Sequence, residues 1–363
     1  MNPPPASAEA DRLCGEGYAS LEAGRFGEAH ALLSRACALA PDNPLIHYRL
    51  GLLFSDTGRP AEALAALDTS LGLKPDNAHA HNNRGSALQL LGRTSEAEQA
   101  FQRALDLSPE LEIPYINLGH LLEQQGKPQE ARELYERAIA RGLDPTWFSH
   151  YLAAASGQVT HRAPDRWVSA TFDNFAPTFD AHLQSLGYNA PRMLAAMVQS
   201  HVDEALDVLD LGCGTGQCGL SLAQQKRYLV GLDLSAKMLA QAHAHGVYDE
   251  LHLAEVHTWL RGAAAARFDL VIAADVFIYI GALEDLFHET ARSLRPGGWF
   301  AFSTEECEAA DYTLLPTGRY AQSEAYIRRL AMQAFTVAVA DPAVIRIESG
   351  DPLMGRLYLL QRQ

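Results

Sequence analysis

The residues best suited to chemistry cluster in "VLDLGCGTGQCG", Val208 to Gly219. An acid, Asp210, is followed by Gly212, Gly214 and Gly216 at every second position. Glycines so spaced, directly after an apolar run, let the backbone leave a strand sharply and approach a ligand closely. Gly214 to Gly219 is also a literal G-x-G-x-x-G, the pattern that sets backbone N–H groups and a helix N-terminus against a dinucleotide's pyrophosphate. Asp210 argues against that use, because a carboxylate beside a pyrophosphate is repelled.

A ligand with positive charge and no phosphate suits this acid better. S-adenosylmethionine (SAM), with a sulfonium and an ammonium, is such a ligand. Three further acids follow at strand-like ends: Asp233 in "VGLDLS", Glu255 in "LHLAEV" and Asp275 in "VIAADVF". Asp233 can accept two ribose hydroxyls, a use it would have with NAD as well. Glu255 can receive an adenine amino group. For a single acid the alternative is a helix N-cap, reasonable for Asp275 but poor for the row as a whole.

The elements that must carry this row alternate strand and helix. "ALDVLDL", "YLVGLDL", "ELHLAE", "FDLVIAADV" and "WFAFSTEE" are short apolar runs, separated by "QCGLSLAQQ", "AKMLAQAHAHG", "VHTWLRGAAAA" and "ALEDLFHETARSLRPGG". Successive βαβ units predict a doubly wound, mostly parallel sheet with its ligand at the carboxyl ends of the strands. "AVIRIESGDPLMGRLYLLQR" reads as an antiparallel hairpin around Gly350-Asp351-Pro352. Residues 151–200 are mixed and aromatic, a helical lead-in before the α/β domain at 201–363.

"VLDLGCGTG", "GLDLSAKML", "FDLVIAADVFIYI" and "LRPGGWFAFSTEE" resemble, in order, the motifs of class I SAM-dependent methyltransferases with a Rossmann-like fold. The resemblance runs from about Phe172 to Arg362. It implies SAM as cofactor, its methionine end held by Asp210, Gly212, Cys213, Gly214 and Gly216. It implies Asp233 on the ribose, Leu234 and Met238 beside the adenine, and Glu255 and Val256 at the base edge. Asp275 and Val276 would line the floor near the sulfonium, and Tyr188 would cover the cofactor. Glu255 stands where Asp is usual, and Gln322 and Ala334 stand where His and Gly are expected.

The N-terminal half repeats itself. Gly17, Gly51, Gly85 and Gly119 are 34 residues apart, as are Ala29, Ala63, Ala97 and Ala131, and Gly24, Gly58, Gly92 and Gly126. Pro41, Pro75 and Pro109 keep the same period. Each unit reads as two amphipathic helices, the Gly58 type closing the first and the Pro75 type following the second. Residues 10–150 therefore resemble an all-α solenoid of four tetratricopeptide repeats behind a short disordered tail at 1–9. The resemblance implies a protein partner on the concave face, with Tyr48, His79, Asn82, Asn83, Tyr115 and Asn117 as contact candidates.

Composition narrows the function. Both halves are acidic: residues 1–150 carry 13 Lys and Arg against 20 Asp and Glu, the remainder 16 against 24. Nucleic acid needs clustered cations to displace phosphate counterions, so it is excluded as partner. No apolar run reaches the ~20 residues of a membrane span, and the N-terminus lacks a signal-peptide pattern, which predicts a cytoplasmic protein. Five widely spaced cysteines suit free thiols and no metal site. The acceptor would be a small molecule or a protein side chain. The catalytic residues stay unassigned, with Tyr279, Tyr320 and His257 as candidate bases. A scaffold whose methyltransferase-like domain is inactive is the alternative.

Overall fold

The structure, a computed structural model, describes residues 6–176, 179–348 and 351–363. The chain divides into two compact units, Met1–Ser156 and Gly157–Gln363.

The first unit contains, among the described residues, nine helices: α1 (Ala6–Glu22), α2 (Phe26–Leu39), α3 (Pro44–Asp56), α4 (Pro60–Leu73), α5 (Ala78–Leu90), α6 (Thr94–Leu107), α7 (Glu112–Gln124), α8 (Pro128–Ala140) and α9 (Pro145–Ala155). The 34-residue ladders each have a physical cause. A Cβ added at Gly17, Gly51, Gly85 or Gly119 would sit within 2.8 Å of Leu33, Leu67, Phe101 or Tyr135, the residue 16 positions on. Glycine there is what lets the paired helices close. Gly24, Gly58, Gly92 and Gly126 all have φ near +70°. The next residue's N–H then reaches back over five residues to a carbonyl, as in Arg59 to Phe54 at 2.8 Å and Arg93 to Leu88 at 2.9 Å. This is the Schellman closure.

Gly85→Ala is expected to destabilise the first unit by about 1–2 kcal/mol. Overpacking a closed core costs about 1–3 kcal/mol and outweighs the ~1 kcal/mol helix-propensity gain. Gly15→Ala, exposed in mid-α1 with open space around it, is expected to stabilise by up to ~1 kcal/mol. Urea unfolding followed by far-UV circular dichroism separates the two.

Three expectations are corrected here. The tail expected over 1–9 is helical from Ala6, where alanines and the Glu9–Arg12–Glu16 ion pairs favour helix; residues 1–5 lie outside the described residues. The boundary expected at 150 falls inside α9, whose Phe148 and Tyr151 rings pack on Tyr115 and Tyr135. Tyr115 itself is buried, and its hydroxyl donates to Pro109 O at 3.2 Å. His81, one repeat earlier, is 2.9 Å from Pro75 O in the same way. That repeat position is structural.

The second unit opens with α10 (Asp165–Phe175), α11 (Phe179–Ser185) and α12 (Ala190–Gln199), which form the helical lead-in. Then come β1 (Leu206–Leu211), α13 (Gln217–Leu222), β2 (Lys226–Asp233), α14 (Ala236–Ala244), β3 (Glu250–Leu253), α15 (Val256–Gly262) and β4 (Phe268–Ala273). A turn at Phe277–Tyr279 leads to α16 (Glu284–Ser293), β5 (Leu294–Glu305), the pair β6 (Tyr312–Leu314) and β7 (Tyr320–Gln322), α17 (Glu324–Ala331), β8 (Phe335–Glu348) and β9 (Asp351–Arg362).

The main sheet has the order β3-β2-β1-β4-β5-β9-β8. The first five strands are parallel and β9 and β8 antiparallel. The chain winds outward from β1 to β3, then crosses to β4 on the other side of β1. That reversal opens a crevice at the carboxyl ends of β1 and β4. Side chains alternate between two cores: Leu209 and Leu211 of β1 face one, Leu206 and Val208 the other. The expected hairpin is β8–β9; residues 349 and 350 of its turn lie outside the described residues. "LRPGG" follows α16 directly and begins β5, with an irregularity in its pairing to β4.

Candidate functional site

The glycine loop leaves β1 with Gly212, Gly214 and Gly216 at φ of 61°, 54° and 95°. This left-handed backbone is costly for side chains other than glycine. A Cβ at Gly212 would lie 2.7 Å from Val276 Cγ2, so the loop and the segment after β4 meet across the crevice.

Asp233, buried at the end of β2, holds that loop. Its Oδ2 accepts from Gly214 N at 2.9 Å and its Oδ1 from Ser235 N at 2.8 Å. Burial raises its carboxyl above the ordinary range, against the lowering by these amides. Asp210 is 1% exposed. Its Oδ2 accepts from the Tyr248 hydroxyl at 2.6 Å, while its Oδ1 is buried without a hydrogen-bond partner. Burial pushes its carboxyl up to about 7, the Tyr248 hydrogen bond acting downward and Asp233 upward. Buried Cys213 belongs to the loop, and its N–H donates to Leu232 O at 2.8 Å.

Leu234 is half-buried beyond β2, and Met238 is fully buried in α14. Glu255 follows β3 and caps α15. Its Oε1 takes His257 N (3.0 Å), His257 Nδ1 (2.9 Å) and Arg162 Nη1 (3.1 Å). Its Oε2 takes Thr258 N and Thr258 Oγ1, both at 2.8 Å. Burial would raise this carboxyl, but these donors hold it well below the usual carboxylate range. The capping role that is the alternative for any one of these acids is taken by Glu255. Val256 begins α15.

Asp275 stands two residues past β4 at φ 60°. Its N–H donates to Ser303 Oγ at 2.9 Å and its Oδ2 accepts from Arg346 Nη1 at 2.8 Å. Arg346, 5% exposed on β8, also donates to Glu305 Oε1 at 2.6 Å, and Arg319 lies 3.3 Å from the same oxygen. These acids and arginines form a network of ion pairs at the ends of β4 and β5. Tyr188 is half-buried against the core behind β1; burial raises its hydroxyl, with the negative charge of Asp275 adding to it.

Sequence reasoning missed several residues. Thr215 donates to Asp180 of α11 at 2.6 Å, and Ser235 to Asp173 of α10 at 2.6 Å. Both bonds tie the lead-in onto the loop. Tyr248 was also missed; no motif spacing marks it. Gln322, buried where His is expected, donates to Phe277 O and Ile280 O, both at 2.9 Å. A neutral imidazole has one N–H and could make only one of those bonds.

Of the candidate bases, His257 Nδ1 is tied to Glu255. Tyr320 is buried against the Thr160 hydroxyl, its own hydroxyl pushed by burial up to about 12. Tyr279 packs edge-on against Phe172 and beside Trp167, its hydroxyl raised by burial. Among the described residues no cluster of His, Cys, Asp and Glu could hold a metal ion, and no helix is long and apolar enough to cross a membrane.

Residues 208–298 match the methyltransferase domain family, and residues 14–75, 48–112 and 88–153 match tetratricopeptide repeat families. A malonyl-[acyl-carrier protein] O-methyltransferase of Enterobacter lignolyticus is 32% identical over 38% of this chain and 53% of its own length. A trans-aconitate 2-methyltransferase of Azoarcus sp. is 35% identical over 34% of this chain and 50% of its own. The chain therefore spans about half the length of these curated relatives. The solved 1,6-didemethyltoxoflavin-N1-methyltransferase of Burkholderia thailandensis is 17% identical, with a TM-score of 0.44 over 57% of this chain and 93% of its own. The chain joins residues that match tetratricopeptide repeats to residues that match a methyltransferase domain.

Proposed function

We propose that the chain transfers a methyl group from SAM to a small-molecule or protein acceptor, with the repeats as a docking module. The observation that carries this reading is Asp210. It lies buried at the head of a glycine loop, with one carboxylate oxygen left for a ligand. Asp233 doubles the negative charge there, which suits a cationic ligand and opposes a pyrophosphate.

SAM bound there would supply a methyl group already activated on sulfur. Asp210 and Gly212 to Gly216 would take its methionine end. Asp233 would accept the ribose hydroxyls with the lone pairs left beside its two amide bonds. Leu234 would lie against the adenine, and Met238 would support it from the core. Glu255 already accepts four hydrogen bonds and pairs with Arg162, which leaves no capacity for an adenine amino group. It would set the turn that presents Val256 to the base edge. Asp275 and Val276 would form the floor, with Tyr188 over it. The chain's share of catalysis would be alignment and exclusion of water, since its tyrosines hold their protons; His257, its Nδ1 on Glu255, keeps Nε2 as a candidate base.

Relatives named for a carrier-bound malonyl group and for trans-aconitate match with similar identity, so either acceptor class fits. On the repeats, Asn83 Nδ2 donates to Tyr48 at 3.3 Å and Asn117 Nδ2 to Asn82 Oδ1 at 3.0 Å, across neighbouring units. This polar row, with exposed His79 nearby, is the proposed docking surface. Calorimetric titration decides the cofactor: SAM is expected to bind and NADH not. Binding of NADH alone would restore the dinucleotide reading, and binding of neither would leave a scaffold.

A further inference from the structure

We infer that Tyr248 is a positioning residue for the cofactor loop, holding Asp210 aimed and ionised toward the ligand while its ring fixes the loop's shape. The inference rests on the SAM reading above. Tyr248 lies between α14 and β3, outside every motif that marks the site. Its hydroxyl donates to Asp210 Oδ2 at 2.6 Å and accepts from Gly219 N at 3.3 Å.

The ring packs against three glycines, and two of them, Gly219 and Gly231, no ligand requires. A Cβ at Gly219 would lie 2.6 Å from Tyr248 Cζ, one at Gly231 2.8 Å from its Cε1, and one at Gly216 3.0 Å from its Cε2. The last glycine of the G-x-G-x-x-G match is thus kept small by a tyrosine and not by a phosphate. The loop, the start of α13 and β2 close around this one side chain.

The groups facing Asp210 are Tyr248, Asp233 from β2, and the buried thiols Cys213 and Cys218 from the loop and α13; on the β4 side its register partner is apolar Ile272. Tyr248 is the one that lowers the Asp210 carboxyl. The folded carboxyl lies above its unfolded value, so the ionised form that attracts a cation is lost as pH falls through about 7. Removing the hydroxyl moves that loss to higher pH.

The test compares Tyr248→Phe with the unchanged protein by calorimetric titration with SAM from pH 6 to 9, together with thermal unfolding without ligand. A hydrogen bond to a charged group lost at a ligand-facing carboxylate predicts about tenfold weaker binding at pH 6.5. The deficit should shrink toward pH 9, where Asp210 is ionised in both proteins. The titrating amine of SAM is common to both and cancels in the comparison. Asp210→Asn should bind weakly at every pH, with its ratio to the Asp210→Asn Tyr248→Phe double variant flat. Parallel pH profiles for Tyr248→Phe and the unchanged protein, or a uniform loss accompanied by a lowered melting temperature, would overturn the inference. Failure of the unchanged protein to bind SAM would instead overturn the cofactor reading.

Discussion

Arg346→Met is expected to destabilise the second unit by about 3–5 kcal/mol, the cost of removing one partner from a buried ion pair. Arg346 is 5% exposed and pairs with two carboxylates, Asp275 and Glu305. Methionine fills much of the volume but takes a buried cation from both acids, leaving Glu305 with Arg319. Asp275 also holds a left-handed backbone at φ 60°, a conformation that persists only where surroundings impose it. Urea unfolding followed by tryptophan fluorescence is the measurement, because Trp167, Trp259 and Trp299 lie in this unit. Adding Asp275→Asn and Glu305→Gln to Arg346→Met should recover a substantial part of the loss. A loss below about 1 kcal/mol would show that solvent already reaches the network.

Asp233→Ala is expected to weaken SAM binding about 100-fold or more. Its carboxylate organises the loop through Gly214 N and Ser235 N, and in the proposed complex it also takes the ribose. Each hydrogen bond to a charged group contributes about 1.5–3 kcal/mol, so two lost on the ligand side already account for that factor. Calorimetry measures the affinity, and hydrogen exchange at the Gly214 and Ser235 amides reports whether the loop has loosened. Unchanged affinity with fast amide exchange would assign Asp233 a purely structural role. Asp233→Asn should fare little better, because its NH₂ would face one of the two amide donors.

The two variants probe different kinds of legibility. Asp233 could be read as functional because an acid at a strand end after an apolar run is a local pattern. Arg346 could not. It lies on β8, 71 residues from Asp275 and 41 from Glu305, and nothing in "AVIRIESG" marks its arginine as buried. Glu255 shows the reverse case. Its position in the acidic row was legible, but its saturation by His257, Thr258 and Arg162 was not. A carboxylate that binds and one that caps have the same sequence signature.

The sequence by itself determined the repeat array, the order of the α/β elements and the line of acids at the strand ends. Those features rest on local periodicity: 34 residues between repeats, 3.6 within a helix, two within a strand. Only the tertiary structure decided which acids keep free lone pairs, why Gly216, Gly219 and Gly231 must lack side chains, and that Tyr248 lies among them. Such facts depend on contacts between residues far apart in the chain. Their distances are set by the twist and register of the folded sheet, which no short stretch of sequence encodes.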